Sequence, residues 1–207
     1  MDASAFWKVI GEYNGATIIP QLGLTALLAA SAIFSSLKHR PAILKIYLSI
    51  ANLFIAIVFF GMFGTEPIQK YFAFPLYMAV GLLFMYEAIA NRKDAMGKLN
   101  ITQIALLVLF SIYPAVSYLL GHRFPELVTH IMPCPIVALS LAIYSAFHKK
   151  NMVLYALLIV WGLTGVKSIV FSAYEDLILL AAGVYGLFDF VSMLRKKKSR
   201  GLYLVDD

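Results

Sequence analysis

The sequence predicts an all-α integral membrane protein: a seven-helix bundle with its N-terminus outside and its C-terminus in the cytoplasm. Three observations lead there. Of 207 residues, 61% are hydrophobic and 14% charged, with a mean hydropathy of +0.83, whereas a soluble domain carries about 45–50% apolar and about 25% charged residues. Seven stretches approach the roughly 20 apolar residues that a spanning helix needs. Most of the Lys and Arg residues fall in alternate gaps between those stretches.

The stretches are 16–37, 42–63, 72–90, 101–120, 132–147, 152–170 and 177–194, of which the fifth and the last are the shortest. Their runs are continuously apolar rather than alternating, which favours helices over barrel strands, because a backbone in lipid must satisfy its own hydrogen bonds. One transmembrane domain over 1–207 follows. Lys38, Arg40 and Lys45 come after the first span, and Arg92, Lys93 and Lys98 after the third. Lys149 and Lys150 come after the fifth, and Arg195, Lys196, Lys197, Lys198 and Arg200 after the seventh. The other gaps and the N-terminus hold only Lys8, Lys70 and Arg123. Cations stay on the cytoplasmic side, which orients the chain. The net charge of +6 is then explained by topology and anionic lipid, not by nucleic acid, and residues 195–207 read as a basic cytoplasmic tail.

Ahead of the first span, Phe6, Val9, Ile10 and Tyr13 fall at helical spacing, with Lys8 and Glu12 facing elsewhere. Residues 1–15 are therefore expected to form an interfacial helix on the outer surface. Met1-Asp2-Ala3-Ser4 lacks a basic n-region, so the first span is expected to be retained. A single cysteine, Cys134, excludes a disulfide within the chain.

An internal repeat is also predicted. Ile18-Ile19-Pro20-Gln21 opens the first span and Ile131-Met132-Pro133-Cys134 the fifth. Aligning Gly81 with Gly183 sets Glu87 opposite Asp189, each with basic residues a few positions later. Spans one to three and five to seven then form parallel triplets joined by span four, a 3+1+3 arrangement like that of transporters with parallel repeats.

The ordered set Phe6-Trp7-Lys8-Val9-Ile10-Gly11-Glu12-Tyr13-Asn14, Tyr113-Pro114, Gly121-His122, Phe124-Pro125, Pro133-Cys134-Pro135, Trp161 and Glu175-Asp176-Leu177 covers nearly the whole chain. In these residues the sequence resembles a family of bacterial polytopic membrane proteins catalogued as a domain of unknown function. The resemblance implies the bacterial cytoplasmic (inner) membrane and supplies no activity, substrate or catalytic residue. Two departures stand out: Ile136-Val137 follow Pro-Cys-Pro where hydroxyl residues are the pattern, and Lys167 replaces a small apolar residue.

Candidate chemistry gathers toward the outer ends of the helices. His130, Met132 and Cys134 alternate, so that an extended segment points all three the same way, and Pro133 and Pro135 favour such a segment. Soft sulfur and imidazole would suit a cation such as Cu(I). The competing reading is a small buried thiol at a proline-rich helix start. Lys167 lies about 22 Å along the sixth span at 1.5 Å per residue. It is expected to pair with Glu175 or Asp176, to meet an anionic substrate, or to reach up to the surface. Gln21, Tyr113, Ser117, His122 and Thr164 complete the candidate binding set, either around an outward-facing pocket or as hydrogen-bonded links between helices. Glu87 and Asp189 are candidate gating or proton-coupling acids, or else partners of Arg92 and the basic tail. No cofactor is expected.

The function predicted first is a small-molecule or ion transporter or channel with its site in the outer half of the bundle. A non-transporting subunit or sensor that binds a membrane-protein partner is the second reading. The third is an intramembrane enzyme acting on lipid, which needs His122 or His130 beside Glu126, Glu175 or Asp176. Membrane lipids are partners in all three.

Overall fold

The computed structural model describes residues 3–202, with side chains as far as Arg195, so the rest of the predicted basic tail lies outside the described side chains. Eight helices make up the described chain: α1 (Ala3–Lys38), α2 (Ala42–Phe63), α3 (Gln69–Ala90), α4 (Ile101–Ser111), α5 (Tyr113–Leu119), α6 (Pro133–Tyr144), α7 (Met152–Phe171) and α8 (Leu177–Leu202). Five are long and apolar enough to cross a bilayer, or six if α4 and α5 count as one bent span. The protein is a multi-pass helical membrane protein.

The difference from seven spans lies mainly in α6. It has 12 residues, about 18 Å at 1.5 Å per residue, short of a hydrocarbon core about 30 Å thick. Met132 before it is extended, and Ala146 and Phe147 after it bond back in tight turns to Ile143 and Tyr144. All of its residues except Cys134 are buried or nearly so, against α2, α4, α7 and α8. A helix apolar on every side must be enclosed, and here protein encloses it.

The predicted fourth span is broken at Ile112, where α5 leaves α4 at 55°. Pro114 sits in the first turn of α5 and has no N–H to continue the ladder. At the N-terminus the expected interfacial segment is the opening of one unbroken 36-residue helix. Its buried stripe, Trp7, Ile10, Asn14, Thr17 and Gln21, follows helical spacing. That stripe meets the chain's own loop, not headgroups: Tyr13 donates to Ile131 O at 2.6 Å, and Asn14 to Pro125 O and Leu127 O at 2.6 and 2.7 Å.

Two helix pairs pack most closely, α2 with α3 and α7 with α8. Glycine permits the second: a Cβ on Gly183 would lie 2.5 Å from the Gly162 carbonyl carbon, backbone that cannot give way. Gly81 plays the same part against α2, but there the nearest atom, at 2.6 Å, belongs to the Leu53 side chain.

Candidate functional site

At the end of the bundle where α2 and α7 begin, charge is paired and buried. Lys45, fully enclosed, donates to Glu87 Oε2 at 3.2 Å and to Asp94 Oδ2 at 3.0 Å, with its ammonium 4.4 Å from the Phe147 ring centroid. Asn91 also donates to Glu87, and the Lys149 backbone N–H to Asp94. Nearby, Asp189 accepts from Lys150 at 3.0 Å and from the Tyr155 hydroxyl at 2.9 Å. Both candidate gating acids are therefore engaged, though with other partners than Arg92 and the described part of the tail. Lys45, which reads in the sequence as one more loop cation, is drawn in because Asp94 and the 145–150 loop fold over it.

At the opposite end lies a cleft of about 170 Å³. Three irregular stretches of helix meet at it: the π-helical Ile55–Phe63 of α2, the π-helical Gln69–Ala73 of α3, and the 3₁₀ turn Thr164–Lys167 of α7. Its wall is largely apolar, with Phe59, Phe60, Phe72 and Trp161 among the lining residues. Phe59 and Phe60, in the π-helical stretch of α2, are buried, Phe59 against Tyr13 and Phe60 against Trp161.

The polar atoms of the wall are few. Gln69, Cys134, Thr164, Lys167, Ser168, Asp176 and the Trp161 indole belong to it, the Gln69 Oε1 being taken up by the backbone N–H groups of Thr65 and Glu66. Asp176 Oδ1 accepts from the Tyr113 hydroxyl, and the Cys134 thiol is its other polar neighbour. Thr164 is turned away, donating to Trp161 O at 2.7 Å. Trp161 Nε1, with the Cys134 thiol as its polar neighbour, and Ser168 Oγ are buried and make no well-formed hydrogen bond. Each such atom costs about 1–3 kcal/mol when nothing meets it.

Behind the wall, Ser117 donates to Glu175 Oε1 at 2.7 Å and accepts from the Val128 N–H at 3.1 Å, while Glu175 Oε2 has no partner. Lys167 is exposed on the rim, and among the described residues it is paired with neither Glu175 nor Asp176. The two acids are held by Ser117 and Tyr113 instead, since the turn at 172–176 directs them inward while Lys167 faces out.

Besides Tyr113, Ser117 and Glu175 behind the wall, three predicted residues lie outside the cleft. Gln21 is occupied at both ends of its amide, donating to Asn14 and Thr17 and accepting from Thr129, and so it clamps the loop to α1. His122 stacks on Trp7 with ring centroids 3.6 Å apart. His130 bonds through Nε2 to Ser111 O at 3.1 Å and rests on Phe110. No histidine-acid pair forms among the described residues, and no group of three His, Cys, Asp or Glu side chains converges as a metal site would. Trp161 and Ser168 were missed as a pair. A proton donor without a partner leaves no trace in a sequence.

No curated protein and no solved structure matches the chain. The profile of a family described as a family of unknown function, DUF6064, matches residues 3–200. With the match covering almost its whole length, this chain belongs to that family.

Proposed function

We propose that the protein is a small-molecule carrier of the bacterial inner membrane, with its N-terminus outside and the cleft as its outward-facing site. One observation carries this reading. Three irregular stretches within the long helices border one cleft, and the 3₁₀ turn Tyr174–Asp176 adds Asp176 to its wall. Broken or widened helix turns free backbone and side chains for ligands where a regular helix would hide them. Beneath the cleft the core is packed, and at the basic end the Lys45 and Lys150 networks close the bundle. That is the arrangement of a carrier open to one side and latched on the other.

The proposed 3+1+3 repeat draws support from the two close helix pairs. Gly81 and Gly183 each sit at a close crossing, and six positions on, Glu87 and Asp189 each bind a lysine near the start of the preceding helix. A non-transporting subunit is the second reading, and α1 favours it. Only 17% of its most apolar window is buried, against 61% in α2, which leaves Ile33, Phe34 and Leu37 to face lipid or a partner helix.

Cysteine accessibility separates the two. Ser140 is fully buried midway along α6. With Cys134→Ser as background, a Ser140→Cys variant is expected to react with a small, membrane-impermeant thiol reagent from both faces of oriented vesicles, because a carrier opens its centre to each side in turn. Reaction from neither face would leave a static subunit.

A further inference from the structure

Resting on the reading of the cleft as a ligand site, we infer that its ligand is a small amphiphilic anion, whose apolar body enters the cleft while its one negatively charged head stays at Lys167 on the rim. Wall chemistry, volume, charge and the direction of approach each bear on that class.

The wall decides what can enter. Ile10, Phe59, Phe60, Phe72, Met132 and Leu179 line it, and its polar groups are mostly taken up within the chain. Gln69 Oε1 accepts from two backbone N–H groups, Thr164 donates to Trp161 O, and Asp176 Oδ1 accepts from Tyr113 with the Cys134 thiol beside it. Trp161 Nε1 and Ser168 Oγ are closed off from the open space. What the interior offers is apolar contact, and a charged head brought inside would lose its water for nothing. Volume limits the body. An apolar cavity of about 150 Å³ takes one benzene, so the roughly 170 Å³ here takes a body of about six to eight carbons.

Charge selects the head. Lys167 is the one cation among the lining residues, it is exposed, and among the described residues it makes no ion pair or hydrogen bond. Asp176 is half-buried in the same wall, but Tyr113, itself fully buried, holds its carboxylate toward the bundle. The unmatched charge is therefore positive and sits at the mouth. A carboxylate or phosphate head pairs it, a neutral head leaves it as it is, and an ammonium head is repelled.

The mouth opens toward lipid. Ile68 and Phe72 on one side of it, and Val166, Ile169 and Val170 beside Lys167 on α7, are exposed apolar side chains, which a membrane protein turns to the bilayer. An amphiphile already in the leaflet can slide its body between them while its head stays level with the lysine, whose long stem spans the same boundary. An anionic phospholipid carries the same head chemistry, but its two long chains exceed the volume, and the free amphiphile is the assigned ligand.

The chain's two tryptophans supply the readout, since Trp161 lines the cleft and Trp7 does not. The full-length protein in phosphatidylcholine nanodiscs is titrated with octanoate carrying a bromine at its chain end, which quenches an indole that it touches. The part of the quenching that unbrominated octanoate competes away measures the site, because probe dissolved in lipid is not displaced. Octanoate is expected to compete about two- to fivefold better than octanol, the range of an exposed charge pair, and octylammonium worse than both. Lys167→Met is expected to erase the advantage over octanol, and Lys167→Arg to keep it. Trp161→Phe is expected to remove the competed quenching and Trp7→Phe to keep it, each used only if monodisperse and unchanged in apparent melting temperature. The competition series in the parent stands without them. Octanol or octylammonium competing as well as octanoate, or an advantage that survives Lys167→Met, would overturn the anionic head while leaving the cleft a ligand site. Loss of the competed quenching in discs that contain phosphatidylglycerol would overturn the free amphiphile in favour of a bilayer phospholipid. Quenching that none of the three competitors relieves would sink the cleft as a ligand site, and with it the reading on which this one rests.

Discussion

Glu87 and Glu175 are both buried glutamates, 3% and 1% exposed, at opposite ends of one bundle, and their surroundings differ in kind. Glu87 has a lysine and an asparagine on one oxygen. Glu175 has one serine, and its second oxygen has nothing. The first environment is what folding alone requires of a buried charge, since an unpaired one costs several kcal/mol. In the second, that requirement is not met from within the chain. The contrast teaches where to look for a ligand: at the end whose polar groups are left incomplete.

The largest effect that would break this comparison lies at the paired end. Lys45→Met leaves Glu87 and Asp94 together without their cation, and is expected to cost about 3–5 kcal/mol, read as lost yield and a lowered apparent Tm in detergent. Combining it with Glu87→Gln and Asp94→Asn is expected to recover much of that loss, because the uncompensated charges go with it. A Lys45→Met protein as stable as the parent would show that the network is not a structural lock.

A smaller effect sharpens the comparison of the two helix pairs. Gly183→Ala drives a methyl group into the Gly162 backbone and is expected to cost about 1–3 kcal/mol by overpacking, measured by the same thermal unfolding. Gly81→Ala meets Leu53 Cγ and Cδ2 at 2.6 and 2.8 Å, with the Leu53 backbone N farther off at 3.1 Å, so a change of Leu53 rotamer relieves part of the clash and the substitution is expected to cost less. Equal losses would mean that the two crossings are equally rigid.

The smallest effect concerns the incomplete end. Glu175→Gln keeps the acceptor for Ser117 and removes a charge that nothing balances, so the stability change is expected within about 0.5 kcal/mol. The same change at Glu87 removes a charge-assisted bond worth about 1.5–3 kcal/mol. If both substitutions cost the same, the two ends are built alike, and the argument from incompleteness fails.

Much of the framework was legible in the residues. The ends of α2, α3 and α7 fall close to their apolar runs, and Pro133-Cys134-Pro135 is the proline-rich helix start of the competing reading: the extended backbone stops at Met132 and Cys134 is helical, not aligned with His130 and Met132 in one extended run. The candidate site was legible in pieces. Cys134, Thr164, Lys167 and Asp176 do line one cleft, whereas Gln21, His122 and His130 serve the contacts of the loop that caps it. Side-chain chemistry identifies polar groups that need partners. It does not say which partners the fold will bring.

The sequence by itself determined that the chain is helical and belongs in a membrane, because the ratio of apolar to charged residues admits no other solvent for it, and it marked which loops carry the cations. Tertiary structure alone decided that α6 is enclosed by protein while much of α1 is left uncovered, although both are written in the same apolar residues. A hydrophobic run records only that a segment leaves water. Whether lipid or protein receives it, and whether a buried N–H finds an acceptor, depends on atoms far away in the chain, and these meet only when the helices pack.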